Sequence, residues 1–331
     1  MTAHRTRRIA IRRAPVALAI ALGLVTAAVA IGATHPLTVR GALPQPAGGA
    51  FRGQAVDPAA TGAVAHNGSP GPPVGWSVVR SSRSNQPLIA TTLLYPDPRD
   101  RRAFVGAAWL SPRGLALRLV PGTEQPGGTW STDGAVPASA VPTLAAVFNA
   151  GFKYKDITGG FEAEGRVAVP LVDGMASLVI RSDGTATVGA WGTSLSSAPD
   201  VVAVRQNLDL IVAHSRRANG LLTNHDGSWS TEHHQVQRTP RSGIGQLRDG
   251  SLVYLAGPDL DIGQLADAFV AVGAVNAMQL DIHPNQTVFH IFDPSTGTGP
   301  GAGHELLDVM TAPLGRYLVP DTRDFVIATE R

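Results

Sequence analysis

The stretch RSGIGQLRDGSLVYL, Arg241 to Leu255, decides the fold class. Its apolar arms IGQL and SLVYL flank Asp249-Gly250, and Asp-Gly accepts the positive φ values that a tight type I′ hairpin turn requires. An antiparallel strand pair is therefore expected here. A second hairpin is signalled by Asp183-Gly184, between LVI and ATV. Further β-like segments are Trp76–Arg80, Leu88–Tyr95, Ala103–Leu110, Leu115–Val120, Ser177–Ile180, Thr185–Ala190, Val201–Asn207 and Thr287–Phe292. C-terminal to the first hairpin, Ile262, Leu265, Phe269 and Val272 recur at helical spacing and stack on one face. Asp259 or Asp261 can cap this helix and Gly273 can end it. The chain then re-extends through Ala274–Leu280 and delivers Asp281 at a strand end. A second helix is expected over Glu305–Ala312. Strands outnumber helices and no regular βαβ alternation is visible, so the fold class is α+β with a mainly antiparallel or mixed β-sheet and a few flanking helices.

The amino-terminal region reads differently. Of 27 basic residues, Arg5, Arg7, Arg8, Arg12 and Arg13 fall in the first 13 positions, which hold no acid; the remaining 22 face 25 acids. The body is thus weakly acidic, which argues against a nucleic-acid partner. Ala14–Ala33 carries no charge, and 20 residues at a helical rise of about 1.5 Å span a hydrocarbon core of about 30 Å. With the arginines before it, this segment is expected to be a signal anchor, its N-terminus cytoplasmic and the rest of the chain outside the membrane. Ala28-Val29-Ala30 keeps a cleaved signal peptide open. Residues 34–75 are rich in Pro, Gly and Ala and read as a flexible stalk. Residues 76–331 form the folded domain. The chain has no cysteine, which excludes disulfides, thiolate catalysis and Cys-ligated zinc.

Candidate chemistry lies in glycine-rich surroundings: Asn149-Ala150-Gly151-Phe152, Gly159-Gly160-Phe161, Asp173-Gly174, Arg241-Ser242-Gly243-Ile244-Gly245 and Leu280-Asp281. There, backbone can approach a ligand closely. The order of these motifs resembles the phosphodiester glycosidases, whose pattern runs Asn-Gly-Gly-Phe, Asp-Gly, Arg-Ser-x-Ile-Gly, then helix, strand and Leu-Asp-Gly-Gly-Gly-Ser. The resemblance covers roughly Ala145 to Phe292. It departs from the pattern after Asp281, where Ile282-His283-Pro284-Asn285 replaces Gly-Gly-Gly-Ser. Pro284 has no N–H to offer an anion, so the pocket is rebuilt here.

The resemblance implies a hydrolase acting on a glycosyl phosphodiester. Asp281 is the leading acid/base or nucleophile and Asp173 the candidate second carboxylate. Arg241 is the candidate phosphate ligand, since a guanidinium can bind two oxygens at once. Asn149, Gly151 and His283 complete the candidate substrate-binding set. Asp173 also fits a plain turn, and Asp183 and Asp249 read as turn residues rather than catalytic groups. His214, His225, His233 and His234 match no common zinc spacing and read as a solvated insertion. No P-loop, dinucleotide fingerprint, G-x-S-x-G or H-E-x-x-H is present. No cofactor is called for, and a divalent metal stays open. The expected function is a membrane-tethered hydrolase of an envelope or exported glycan; the alternative is a non-catalytic glycan-binding module of the same fold.

Overall fold

The computed structural model describes residues 71–224, 227–229, 237–293 and 302–331. The expected anchor, most of the stalk, and His225, His233 and His234 lie outside the described residues. Among the described residues, no helix is long and apolar enough to cross a membrane.

Among the described residues three sheets build the domain, and every ladder between their strands is antiparallel. The first has eight strands, in the order β1 (Ser77–Ser81), β2 (Pro87–Leu94), β3 (Val105–Leu110), β14 (Leu252–Leu260), β13 (Thr239–Leu247), β15 (Ala274–Ile282), β11 (Leu210–Ala213) and β12 (Arg216–Arg217). The second runs β7 (Arg166–Val169), β6 (Phe161–Ala163), β10 (Val201–Gln206), β8 (Ala176–Arg181) and β9 (Ala186–Ala190). The third runs β17 (Gly303–Glu305), β16 (Phe289–Phe292), β5 (Leu144–Asn149), β18 (Phe325–Glu330) and β4 (Leu115–Val120). One apolar core, including Leu178, Tyr254, Leu280, Phe148 and Phe289, draws on all three sheets.

Helix α1 (Ile262–Ala271) covers the other face of the large sheet, where Leu265 and Phe269 pack with Trp109, Val253 and Ile211. Asp261 is its cap. The Asp261 carboxylate accepts from the Gln264 amide, and the Gln264 side chain accepts from the Asp261 amide. Gly273 follows with φ +82°. The two glycines of Arg241-Ser-Gly-Ile-Gly245 are explained by this helix. A Cβ on Gly243 would lie 2.7 Å from the Phe269 ring, and one on Gly245 would lie 2.8 Å from it. These glycines admit an aromatic ring, not a ligand.

Two expectations are corrected. Both Asp-Gly hairpins place only the glycine at positive φ, Gly184 at +76° and Gly250 at +87°. The Gly184 amide donates to Arg181 O, and the Arg181 amide to Thr185 O. Gly250 and Leu247 repeat the pattern with Leu247 O and Ser251 O. These are longer loops ending in a glycine bulge, rather than type I′ turns. Each aspartate accepts the amide two residues on, from Thr185 and Ser251. The second correction concerns Glu305–Ala312, which holds the end of β17 and turns but no helix. The Leu306 amide is drawn off to Phe289 O as sheet pairing continues, and Leu306 and Leu307 both pack over the bare Cα of Gly106. That consumes the contacts a helix would need.

Candidate functional site

The ends of four strands meet at one place: β5 at Asn149, β10 at Gln206, β15 at Ile282, and β18 just after Asp324. The Asp281 amide donates to Ala150 O at 3.0 Å, tying the large sheet to the loop that leaves β5. A cleft of about 740 Å³ opens there, lined by Phe152, Lys153, Lys155, Asp156, Asp281, Arg323 and the loop Ile282–Gln286.

Asp281 lies against this cleft and is 5% exposed. Its Oδ2 is 2.6 Å from an Arg323 guanidinium nitrogen, and its Oδ1 accepts from the Ile282 amide at 2.8 Å. Burial raises its pKa to about 6, against the opposing pull of Arg323, the Ile282 amide and Arg205. The carboxylate is thus held in one orientation with a proton affinity close to neutral pH.

Arg323 also donates to Gly151 O at 2.9 Å. Behind it, Arg205 pairs with Asp324 at 2.6 Å, donates to Phe152 O at 2.6 Å, and stacks over the Tyr154 ring at 4.4 Å. Burial opposes the Arg205 charge, but Asp324 and its neighbours leave its pKa raised. Gly151 is required here, because a Cβ would lie 2.8 Å from Arg205 Cζ. The loop after β5 is therefore clamped by two buried arginines.

The structure places the candidate residues unevenly. Asp281 and His283 line the cleft, and Gly151 borders it through its carbonyl. Asn149 is buried and fully engaged: its amide group donates to Ser242 Oγ at 3.0 Å and to Ala150 O, while its oxygen accepts from Tyr254 OH and the Val288 amide. Ser242 Oγ in turn donates to Asp281 O at 2.7 Å. Asn149 thus positions the Asp281 backbone and does not line the cleft.

Arg241 is buried as well. It donates to Leu260 O, to Gln279 Oε1 and to Gln237 O, at 2.8, 3.1 and 2.9 Å. Burial lowers its pKa to about 10, and it is not among the cleft-lining residues. Asp173 sits exposed in a turn before Gly174 at φ +86°, also outside the cleft lining. His283, by contrast, is exposed with φ +83°, a left-handed conformation that favours glycine, at a place where the resemblance puts one.

Sequence reasoning assigned no role to Arg323, Asp324, Arg205, Lys153 or Lys155. Nothing local marks Arg323, which lies far along the chain from Asp281. The lysines did carry a signal. They are the only two in a chain with 25 arginines.

No curated protein matches this chain. Among solved structures, it is similar to the zebrafish N-acetylglucosamine-1-phosphodiester alpha-N-acetylglucosaminidase catalytic domain, auto-inhibited by its pro-peptide. The identity is 15% and the TM-score 0.48, with 76% of this chain and 86% of that one covered. A Synechocystis protein described as hypothetical is 13% identical with a TM-score of 0.41, with 69% of this chain and 59% of that one covered. The family model for phosphodiester glycosidases matches residues 146–281. That segment runs from strand β5 to the cleft carboxylate Asp281 and is similar to the phosphodiester glycosidases.

Proposed function

We propose that this chain is an extracytoplasmic hydrolase, tethered through its amino-terminal segment, that cleaves a glycosyl phosphodiester in an envelope or exported glycan. The reading is carried by one observation: a buried carboxylate, Asp281, anchored by Arg323, with a pKa raised to about 6, facing an open cleft in the family-matched segment. In this reading the ionised Asp281 takes a proton from water as the water oxygen bonds to the anomeric carbon. The bond from that carbon to the phosphate oxygen breaks, and its electron pair leaves with the phosphate. A phosphomonoester has a second pKa of about 6, so it departs as an anion with little help from an acid. That chemistry asks for one well-placed carboxylate and is compatible with Asp173 lying outside the cleft.

The test incubates the full chain with a panel of sugar-1-phosphate diesters and measures free sugar and phosphomonoester. Equal amounts of both are expected. A folded protein that leaves every diester intact defeats the enzymatic reading. The loop after Asp281 motivates a second reading, a glycan-binding module without turnover, since its Ile282 and His283 amides are already bonded within the protein. Saturable glycan binding that is the same for wild type and Asp281→Asn, with no product from either, would favour it.

A further inference from the structure

The Asp281 cleft needs a group that recognises its ligand, and most backbone N–H groups of the loop after Asp281 are already spent. The Ile282 amide is spent on Asp281 Oδ1, and the His283 amide on Pro240 O. The Gln286 and Thr287 amides both go to His283 O, and Pro284 has no N–H. Arg323 uses one nitrogen, Nη2, for both Asp281 and Gly151, and its charge is balanced by Asp281. Arg241 and Arg205 are buried with their own partners.

Two cations remain. Lys153 and Lys155 line the cleft, are exposed, and pair with no carboxylate among the described residues. Their placement has a mechanical cause. Tyr154 between them turns inward, edge-on to Phe161 with ring centroids 6.2 Å apart and under the Arg205 guanidinium. Its amide donates to Gln125 Oε1 at 3.1 Å. With Tyr154 anchored, its two neighbours are left on the cleft side. The Arg323–Asp281 pair cancels, so the lining charge is set by the two lysines against Asp156. A lysine ammonium is a compact point charge with three freely rotating donors, suited to a phosphate whose orientation varies along a polymer. In a chain that otherwise uses arginine throughout, both lysines stand at this cleft.

We propose that Lys153 and Lys155 are the anion-binding groups of the Asp281 cleft, and that its ligand is a phosphate-bearing glycan held through their two ammonium groups. The proposal rests on the hydrolase reading for the identity of the site, but its test does not require turnover. Reductive methylation with ¹³C-formaldehyde keeps the charge and labels only two lysines and the α-amine of the full chain. Titration with inorganic phosphate should shift both lysine signals saturably and leave the α-amine unmoved.

In the diester assay, Lys153→Gln with Lys155→Gln should raise KM about tenfold, the loss falling on KM rather than kcat, and the double arginine variant should restore most of it. Lysine signals that do not respond to phosphate, or a KM unchanged in the folded double glutamine variant, overturn the proposal. Phosphate-responsive lysines in a protein that hydrolyses no diester would keep the anion site and remove the hydrolase. The two failures are therefore separable.

Discussion

Asp281 faces the cleft from a buried position and is tied to Arg323, and burial and the ion pair pull its proton affinity in opposite directions. Burial raises the pKa to about 6; the Arg323 charge and the Ile282 amide hold it from rising further. If Asp281 acts as the base, kcat/KM should climb as pH rises through about 6 and level off above it, because the ionised form is the active one. Asp281→Asn should reduce turnover about 10²–10⁴-fold, the usual worth of a positioned base. Arg323→Gln removes the charge that favours ionisation and leaves burial less opposed, so the rising limb should move to higher pH. A pH–rate profile of the folded variant checks this. A limb that stays near 6, or moves down, would mean that Arg323 does not set the ionisation of the active group.

At the scale of elements, the helix and strand that carry Asp281 depend on small residues and a cap. Phe269 of α1 lies over Gly243 and Gly245 of β13, and β13 pairs with β15 along the run that ends at Asp281. Gly243→Ala would put a Cβ 2.7 Å from the Phe269 ring and 2.8 Å from Met278 O, so it should cost about 1–3 kcal/mol by overpacking. Asp261→Ala removes the α1 cap and should cost about 1 kcal/mol. Urea denaturation measures both, and a lower midpoint with unchanged slope is expected. The hairpins and α1 were legible in the sequence because their signals are local: a turn glycine, a helical apolar spacing, a capping aspartate. The helix expected over Glu305–Ala312 was misread because its leucines answer to Gly106 and Phe289, partners that no local pattern reveals.

For the whole molecule, the proposed orientation follows from charge. Five arginines precede the 20-residue uncharged run, and the described residues begin at 71, near the end of the Pro-rich segment. The expected outcome is that the protein sediments with membranes and that protease added outside the cytoplasm degrades the domain. A protein found only in the cytosolic fraction, or a domain protected from that protease, would reverse the assignment. Residues 71–331 also show how a site arises from distant segments. Asp281 comes from the large sheet, Arg323 from the approach to β18 in the third, Arg205 from β10 in the second, and Lys153 and Lys155 from the loop after β5.

What the sequence determined by itself was the antiparallel character, the α1–β15 unit and the order of family-like motifs. These are properties of spacing along the chain. Which residues share the cleft was decided only by tertiary structure. Arg241 and Asn149 carry motif positions, yet the packing of β13, β14 and β15 buries them among backbone carbonyls and amides. Arg323 carries no motif and stands 2.6 Å from Asp281. The physical reason is that a buried charge must find its partner wherever the chain returns, and sheet topology, not sequence distance, determines where that is.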